Sequence, residues 1–392
     1  EPMSTYEERS VEAHLASRGK WEIAAKFPLE TRDDLSLAYS PGVAGVCRAI
    51  AAGTHDAREV TCKGNTVAII SDGTAVLGLG NIGPEASLPV MEGKAVLFKR
   101  FAGIDGVPIV VNSRSAEEFI QVVRAIAPSF GGINLEDIAA PDCFRIEEAL
   151  QDTGIPVFHD DQHGTAIVLT AALLNAAKLT GKSVFQLKVV IVGAGAAGTA
   201  IAQLLKCRGH ETTSCTSVRE VLICDSKGII SPDRGDLNIY KRQLLAFTNA
   251  DGRSGTLEEA LEGADVFVGV SKGGLLKPHH IKSMADDPII FAMANPDPEI
   301  MPDEAHAAGA AVVGTGRSDL PNQVNNVLAF PGIFRGALDA GATHITSTMK
   351  HAAVLALAGA IENPTAEQIL PDPLDPTVAG KVAEAVKAAA AH

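Results

Sequence analysis

The 392-residue sequence predicts an α/β protein with parallel sheets. From about residue 103 onward, short apolar strands alternate with helical segments, which is the pattern of parallel strands covered by crossover helices. One glycine-rich turn, GAGAAG, also stands between a clean strand and a helix. That arrangement is typical of a Rossmann-type dinucleotide-binding domain. We therefore expect such a domain together with a second α/β domain.

Eight predicted strands carry this alternation. The first four are GVPIVV, GGINL, IPVFH and LKVVIVG. The helices that follow them are SAEEFIQVVRAIAP, CFRIEEALQ, TAIVLTAALLNAAKL and AAGTAIAQLLK. The later strands are VLICD, DVFVGV, PIIFAMAN and AAVVGTG, and each ends in small or polar residues. Because the carboxyl ends of parallel strands line the ligand crevice, we expect the functional residues there.

Composition excludes several classes of partner. The formal net charge is −14 and Lys and Arg form no cluster, which argues against nucleic-acid binding. No apolar stretch reaches the roughly 18 residues of a membrane span, and the N-terminus lacks a signal-peptide core. The six cysteines contain no C-x-x-C pair, and several lie in apolar runs. We expect a cytoplasmic protein with reduced thiols that acts on small molecules.

The GAGAAG turn is the predicted dinucleotide site. It follows the strand LKVVIV and opens a helix, so free backbone N–H groups at the helix start would face a pyrophosphate. A tight turn with only a structural role is the alternative. The predicted cofactor-binding residues of this turn are Gly193, Gly195, Ala196, Ala197 and Gly198.

A second G-x-G-x-x-G match, GLGNIG, has a different context. It follows TVAIISDGTAVL, where the SDGT turn between two apolar runs predicts a hairpin rather than a strand–helix unit. Pro84 and Pro89 then interrupt the next segment. We expect the glycines of this match to let a substrate approach the backbone rather than to hold a dinucleotide.

The choice between NAD and NADP is open. Asp225 ends the strand VLICD, and a carboxylate at that position binds the ribose hydroxyls of NAD. Polar and cationic residues follow Asp225 in the sequence. They form either a solvated basic face or a site for the 2′-phosphate of NADP. These residues are Ser226, Lys227, Arg234, Lys241 and Arg242.

Four carboxylates follow two neighbouring strands. Glu136 and Asp137 follow GGINL, and Asp160 and Asp161 follow IPVFH, with one helical crossover between the pairs. A right-handed crossover brings the ends of both strands to the same edge of the sheet. Because like charges at close range raise one another's pKa, a cation among them is favoured, and all-oxygen ligation favours Mg²⁺ or Mn²⁺. Helix capping without a metal is the alternative.

A metal-dependent dinucleotide enzyme also needs an acid and a base. Lys94 lies in an otherwise apolar helix, in MEGKA, and Tyr39 precedes a proline–glycine turn, in AYSPGVAG. Both side chains have ordinary pKa values near 10, so proton exchange at neutral pH requires burial or charged neighbours. Without such neighbours, the lysine would be a solvated residue and the tyrosine a packed one.

Seven motifs resemble, in order, those of the malic enzymes, particularly the short bacterial type. Between about residues 30 and 340 they are YSPGVA, SDGTAVLGLGNIGPEASLPVMEGKAVLF, INLEDI, VFHDDQHGTA, VGAGAAG, FAMANPDPE and NQVNNVLAFPG. The resemblance implies oxidative decarboxylation of L-malate to pyruvate and CO₂, with a divalent metal and reduction of NAD or NADP. It also implies a homodimer. We expect a substrate and metal domain at 1–160, a Rossmann-type domain at 161–325, and a C-terminal helical segment at 326–392 that packs back on the first domain.

The same resemblance assigns catalytic roles. Lys94 would take the proton of the C2 hydroxyl, and Tyr39 would protonate C3 of the enolate that remains after CO₂ leaves. Asp160 would be the neighbour that tunes the proton affinity of Lys94. The metal ligands would be Glu136, Asp137 and Asp161.

Substrate binding departs from the family pattern at one point. Larger malic enzymes carry an arginine just before LGLG that pairs with a substrate carboxylate, whereas this chain has Ala75 and Val76 there. The resemblance assigns Asn326 to substrate and Asn295 to substrate and cofactor, with turn formation as the alternative role of both. These asparagines and the metal are then expected to hold the C1 carboxylate.

Two rival functions remain open from the sequence. One is another metal-assisted 2-hydroxy acid dehydrogenase, which would form a keto acid without releasing CO₂. The other is a catalytically idle dinucleotide-binding sensor, against which the presence of all four carboxylates together with Lys94 and Tyr39 argues.

Overall fold

The computed structural model describes residues 5–210, 215 and 217–390, and the structural statements that follow concern these residues. The first sheet is built from β1 (Thr66–Ser71), β2 (Asp105–Val110), β3 (Gly132–Leu135) and β4 (Val157–His159). Its strand order is β2-β1-β3-β4, and every pairing is parallel. The helices of this part are α1 (Tyr6–Ser17), α2 (Arg32–Ala38), α3 (Val43–Ala51), α4 (Ala57–Val60), α5 (Pro84–Ala102), α6 (Ala116–Ile126) and α7 (Asp142–Ala149).

The hairpin predicted at SDGT is wrong. β1 pairs in parallel with both β2 and β3, and it leads through a loop into α5, so this segment is a strand–helix unit. The Asp72 side chain accepts hydrogen bonds from the N–H and hydroxyl of Thr74, which closes the turn locally without a returning strand. Pro84 stands at the start of α5, where its missing N–H is not needed, and the helix continues through Pro89.

The second sheet has the order β10-β9-β8-β5-β6-β7 and is parallel except for the short β7. Its strands are β5 (Lys188–Val192), β6 (Glu220–Asp225), β7 (Gly228–Ile229), β8 (Val266–Gly269), β9 (Ile289–Ala292) and β10 (Val312–Thr315). The helices that accompany it are α8 (Asp160–Thr180), α9 (Ala196–Leu205), α10 (Ile239–Leu244), α11 (Leu257–Leu261), α12 (Pro278–Ser283) and α13 (Pro302–Ala307). Three further helices follow it: α14 (Phe330–Asp339), α15 (Ser347–Gly359) and α16 (Val378–Ala390).

One apolar core extends through both sheets. It includes Ile69 of β1, Phe98 of α5, Leu169 of α8, Ile191 of β5 and Val354 of α15. Two smaller clusters cover the other face of each sheet. Apart from the edge strands β2 and β7, which are partly exposed, the strands are therefore buried on both faces, as the continuous apolar runs in the sequence predict. Among the described helices, none is both long and apolar enough to cross a membrane.

One expectation about the cysteines is corrected. Cys207 and Cys215 form a disulfide bond, so the predicted set of reduced thiols shrinks to the other four cysteines. The pairing has no sequence signal, because seven residues separate the two cysteines and no C-x-x-C motif marks them. The free cysteines are Cys47, Cys62, Cys143 and Cys224.

Candidate functional site

The carboxyl edge of the first sheet gathers the predicted acidic residues. β3 and β4 are parallel neighbours, so Glu136 and Asp137 after β3 lie beside Asp160 and Asp161, which open α8. One carboxylate oxygen each from Glu136, Asp137 and Asp161 lies within 4.8 Å of the others. The structure thus brings together the carboxylates that the crossover predicts.

The two aspartates at the start of α8 have different partners. Asp160 Oδ2 accepts a hydrogen bond from Lys94 Nζ at 2.6 Å. Asp161 Oδ2 instead accepts from the backbone N–H of Asp137 at 2.8 Å. Successive side chains of a helix point in directions about 100° apart. Asp160 therefore contacts Lys94, whereas Asp161 faces Glu136 and Asp137, with which it forms what we call the acidic group. Both negative charges also complement the positive end of the helix dipole.

Lys94 is held in a buried position on α5, with 7% of its surface exposed. Besides its bond to Asp160, its Nζ donates to Glu136 Oε2 and lies 4.3 Å from the centre of the Phe330 ring. Burial lowers the pKa of an amine, but the two carboxylates outweigh it and raise the pKa of Lys94 above its ordinary value. In the absence of another cation, Lys94 is therefore an ammonium group.

Burial and crowding change the proton affinities of the acidic group. Burial raises the pKa of Glu136 to about 8 and, with the charges of Asp161 and Glu136, that of Asp137 to about 9. For Asp161, burial is outweighed by the adjacent His159 and by Lys94, and its pKa is lowered. Asp137 Oδ2 is buried without a hydrogen-bond partner among the described residues. The group thus holds protons and an unpaired oxygen at positions where a cation would bind.

Two buried residues that sequence reasoning missed orient this group. Asn134 Nδ2 donates to Glu136 Oε2 at 3.0 Å, and His159 Nε2 lies 3.0 Å from Asp161 Oδ2. Both residues are 0% exposed. Asn134 could have been found, because it is a polar residue inside the apolar strand GINL.

Glu147, a third residue that sequence reasoning missed, contacts His159. It accepts hydrogen bonds from the backbone N–H of His159 and from His163 Nε2, both at 2.6 Å. Burial opposes its ionisation, but His163 and the other nearby positive groups lower the pKa of Glu147 to about 2. The sequence carries no signal for this role, because Glu147 is one of two adjacent glutamates on an amphipathic helix.

The two predicted asparagines lie at different edges. Asn326 Nδ2 donates to Asp160 Oδ2 at 3.0 Å, and its Oδ1 accepts from Thr165 Oγ1 at 3.2 Å, so Asn326 belongs to the Lys94 site. Asn295 follows β9 and lines a cavity of about 670 Å³ together with Lys272 and Glu299. It therefore lies at the carboxyl edge of the second sheet.

Tyr39 is not brought into contact with these residues. It is the C-cap residue that follows α2, it is 70% exposed, and its hydroxyl forms no hydrogen bond within the described chain. The segment around it leaves other large apolar side chains exposed, among them Phe27 and Leu37. Tyr39 thus lies on an uncovered apolar surface.

The loop after β1 lies against the acidic group. The backbone N–H of Ala75 donates to the carbonyl oxygen of Asp137 at 3.0 Å, and Thr74 Oγ1 accepts from the N–H of Ala139 at 2.9 Å. Val76, next in the loop, is buried. Ala75 and Val76, the two residues before LGLG, therefore lie next to the backbone that carries Asp137, and they present only backbone and apolar atoms there.

The GAGAAG turn has the geometry of a phosphate-binding loop. Gly193, at the end of β5, has φ 120°, and a Cβ there would lie 2.9 Å from the carbonyl oxygen of Val270. A Cβ at Gly198 would overlap the carbonyl oxygen of Gly193. Gly195 precedes α9, which begins with Ala196, and no side chain caps the helix start. Its first N–H groups can therefore receive an anion.

Asp225 ends β6, the strand beside β5, and is already paired with cations. It accepts two hydrogen bonds from Arg234, at 2.8 and 2.9 Å, and one from Lys241 at 2.7 Å. Burial raises its pKa, but these bonds outweigh burial and lower the pKa of Asp225 to about 2. The carboxylate is therefore ionised and fixed at the edge where a cofactor ribose would lie.

Two family models match this chain over most of its length. Residues 162–391 match the family model of the malic enzyme NAD-binding domain, and residues 18–117 and 112–151 match that of the malic enzyme N-terminal domain. The chain is 55% identical over 387 residues to a bifunctional malic/malolactic enzyme of Bacillus subtilis strain 168, covering 98% of this chain and 92% of that protein. It is 50% identical over 390 residues to an NADP-dependent malic enzyme of Halomonas elongata, covering 95% of this chain and 90% of that protein.

A solved structure agrees with these matches. The NAD-dependent malic enzyme of Thermotoga maritima superposes with a TM-score of 0.92 at 50% identity, covering 96% of this chain and 98% of that chain. The predicted fold class, an α/β protein with a Rossmann-type domain, is confirmed. Since family models and full-length relatives point the same way, this chain belongs to the malic enzyme family.

Proposed function

We propose that this protein is a divalent-metal-dependent malic enzyme that converts L-malate to pyruvate and CO₂ while reducing NAD or NADP. The observation that carries the proposal is the contact of Lys94 with Asp160 and Glu136, beside two further carboxylates. This contact supports the proposal, because it would let an amine exchange protons beside a set of oxygen ligands. The relatives named NAD- or NADP-dependent malic enzyme support the same reaction.

The acidic group fits a hard divalent cation, Mg²⁺ or Mn²⁺. Glu136, Asp137 and Asp161 offer oxygen ligands close together, and one buried oxygen of Asp137 has no partner in the described structure. Burial first, and then the neighbouring carboxylates, raise the pKa values of Glu136 and Asp137, and a bound cation would favour the ionised form of both groups. When bound, such an ion would take up the charge of Glu136, lower the proton affinity of Lys94 and polarise the C2 oxygen of the substrate.

Lys94 then accepts the proton of the C2 hydroxyl. Asp160 holds its Nζ at 2.6 Å, and Asn326 holds Asp160 at 3.0 Å, so the amine keeps one orientation. The Phe330 ring beside Nζ excludes water from that side. After CO₂ has left, Tyr39 supplies the proton to C3 of the enolate, which yields pyruvate.

We place the dinucleotide on the second sheet. Its pyrophosphate would bind the N–H groups of Gly195, Ala196 and Ala197 at the start of α9, with its adenosine ribose at Asp225. Asn295, at the carboxyl edge of the same sheet, would contact the nicotinamide end and the substrate. The bound nicotinamide supplies the acceptor for the hydride from C2.

We also propose a cytoplasmic homodimer. Exposed apolar side chains on the N-terminal segment, such as Ile23 and Leu29, need a cover, and a second copy of the chain provides one. Tyr39 would then lie at the subunit interface. Sedimentation velocity at micromolar concentration should give twice the chain mass, and a monomer would contradict this part of the proposal. Fractionation of the producing cells tests the location, and recovery of the enzyme outside the cytoplasmic fraction would contradict it.

The function is tested by mixing the enzyme with L-malate, Mn²⁺ and either cofactor. Nicotinamide reduction is followed optically while pyruvate, oxaloacetate, lactate and CO₂ are assayed in the same samples. Reduction with equal amounts of pyruvate and CO₂ supports the proposal. Stable oxaloacetate would make the protein a plain dehydrogenase, lactate without net cofactor reduction would indicate the malolactic activity named for the Bacillus subtilis relative, and no turnover would indicate a sensor.

The role of Lys94 is tested with a matched pair of variants. Lys94→Ala should lower kcat by at least about 10²–10⁴-fold, the usual contribution of a general base, while dinucleotide affinity persists. Lys99→Ala is the control, because Lys99 lies on the same helix but is exposed and pairs only with Asp105 among the described acidic groups. Near-normal turnover in Lys94→Ala would remove this residue from the mechanism.

A further inference from the structure

Cys207, His210, Cys215 and His351 form a second group of metal-ligating side chains, which we call the Cys/His cluster. The first three lie between α9 and β6, and His351 lies in α15. Ligand atoms of His210, Cys215 and His351 are within 4.8 Å of one another. Because Cys207 is bonded to Cys215, its sulfur lies directly beside the Cys215 sulfur. The cluster shares no residue with the carboxylate site.

The composition of the cluster is that of a tetrahedral zinc site. Zn²⁺ is commonly held by two cysteine thiolates and two histidines, with sulfur about 2.3 Å and nitrogen about 2.0 Å from the ion. Ligand atoms around such an ion are at most about 4 Å apart. The separations already present are therefore close to those that zinc requires, whereas the oxygen-only carboxylate site suits a harder ion.

The histidines are also placed for ligation. The rings of His210 and His351 lie edge to face, with centroids 4.9 Å apart and planes at 87°. Nε2 of His351 is buried and has no hydrogen-bond partner among the described residues. A buried polar atom without a partner calls for an explanation, and a bound metal ion supplies one. The start of α15 packs on the same segment, since a Cβ at Gly209 would lie 2.8 Å from Ser347 Oγ.

We propose that the Cys/His cluster, once its disulfide is reduced, binds one Zn²⁺ ion and thereby links Cys207, His210 and Cys215 to His351 of α15. A dithiol supplies the two electrons that break the Cys207–Cys215 bond, and it becomes a cyclic disulfide itself. The two cysteine thiols release their protons to water when their sulfurs bind the ion. A disulfide oxidant takes the two electrons back, re-forms the protein disulfide and releases the Zn²⁺. The same four residues thus alternate between a covalent and a metal cross-link.

The test uses the full chain without a polyhistidine tag. After reduction with dithiothreitol and gel filtration under argon, the protein is titrated with Co²⁺, because thiolate ligands give this ion a charge-transfer absorption. The carboxylate site also offers ligands to Co²⁺, but its oxygen ligands do not produce that band. We expect the thiolate band to saturate with one Co²⁺ bound at the Cys/His cluster of each reduced chain, to be abolished by Zn²⁺, and to be absent in the oxidised protein.

Variants then assign the ligands. Cys215→Ser and His351→Ala should raise the Kd for Co²⁺, measured from the thiolate band, by at least about tenfold. Cys47→Ser removes an exposed free cysteine outside the cluster and should leave the band unchanged. His351→Cys keeps a ligand at that position, so a band that is lost in His351→Ala and retained in His351→Cys separates ligation from misfolding. The proposal is overturned if the reduced protein shows no band, or if Cys215→Ser and His351→Ala bind Co²⁺ as tightly as the unmodified chain.

Discussion

Replacing Asp225 with serine should shift the cofactor preference from NAD toward NADP. In the structure this carboxylate takes three hydrogen bonds from Arg234 and Lys241. In the proposed cofactor site it also faces the adenosine ribose and repels a 2′-phosphate. Asp225→Ser removes the negative charge and leaves both cations without this partner. They are then available to bind the phosphate group that distinguishes NADP.

The magnitude follows from the bonds that are exchanged. A hydrogen bond to a charged group contributes about 1.5–3 kcal/mol, and NAD loses at least one such bond between its ribose and Asp225. NADP gains at least one comparable bond, from Arg234 or Lys241. Since about 1.4 kcal/mol corresponds to a factor of ten, the ratio of kcat/KM for NADP to that for NAD should rise by at least about 10²-fold.

The assay is the steady-state rate with each cofactor at saturating L-malate and Mn²⁺. Asp236→Asn is the matched control, because Asp236 accepts a hydrogen bond from Arg234 at 2.9 Å but lies on the more exposed side of the guanidinium. Its loss should change the ratio by less than about tenfold, as for other exposed ion pairs. A ratio that changes by less than about threefold in a stably folded Asp225→Ser enzyme would refute the placement of the ribose at Asp225.

Two other predictions concern the carboxylate site. Gly164→Ala places a Cβ on Asp160 Oδ1, so the carboxylate is displaced from Lys94 and we expect kcat to fall by about 10²-fold; Gly380→Ala, where a Cβ meets nothing, is the control, and unchanged kcat in a folded Gly164→Ala enzyme would contradict the role of Asp160. Mn²⁺ binding at neutral pH should release protons, because the pKa values of Glu136 and Asp137 are about 8 and about 9 without metal and the bound carboxylates must be ionised. The apparent affinity should therefore rise with pH by up to about tenfold per pH unit for each proton and level off above these values, and calorimetry in buffers of different ionisation enthalpy that detects no proton release would contradict the assignment.

Much of the fold is predictable because its signals are local. The eight strands predicted from the sequence correspond to β2 to β6 and β8 to β10. The four helices predicted after the first four of these strands correspond to α6 to α9. Buried parallel strands leave continuous apolar runs, and turn residues mark their ends. The segment after β1 differs from the predicted hairpin, because the SDGT turn resembles a hairpin turn and only the parallel pairing of β1 with β2 and β3 shows that the chain crosses over.

The candidate site is predictable only in part. The convergence of Glu136 and Asp161 follows from topology, because one crossover fixes which strand ends are neighbours. The contacts that Glu147 and His159 make around this site cannot be predicted in the same way, since nothing in the sequence shows that a glutamate on an amphipathic helix is buried. The pairing of Cys207 with Cys215 likewise depends on a loop geometry that no motif encodes. The catalytic role of Tyr39 remains a prediction, because within the described chain this residue stands apart from Lys94.

The apolar core that passes from the first sheet through α8 to the second has a thermodynamic consequence. Part of the apolar surface of each sheet is buried against residues that belong to the other sheet and its helices. If one sheet lost its packing, the apolar surface of the other would therefore be exposed to water. Unfolding should therefore be cooperative across the whole chain rather than sheet by sheet. A fragment that begins after β4 would keep all strands of the second sheet and the cofactor turn. It would still expose to water the apolar surface that the first sheet and its helices cover in the whole chain.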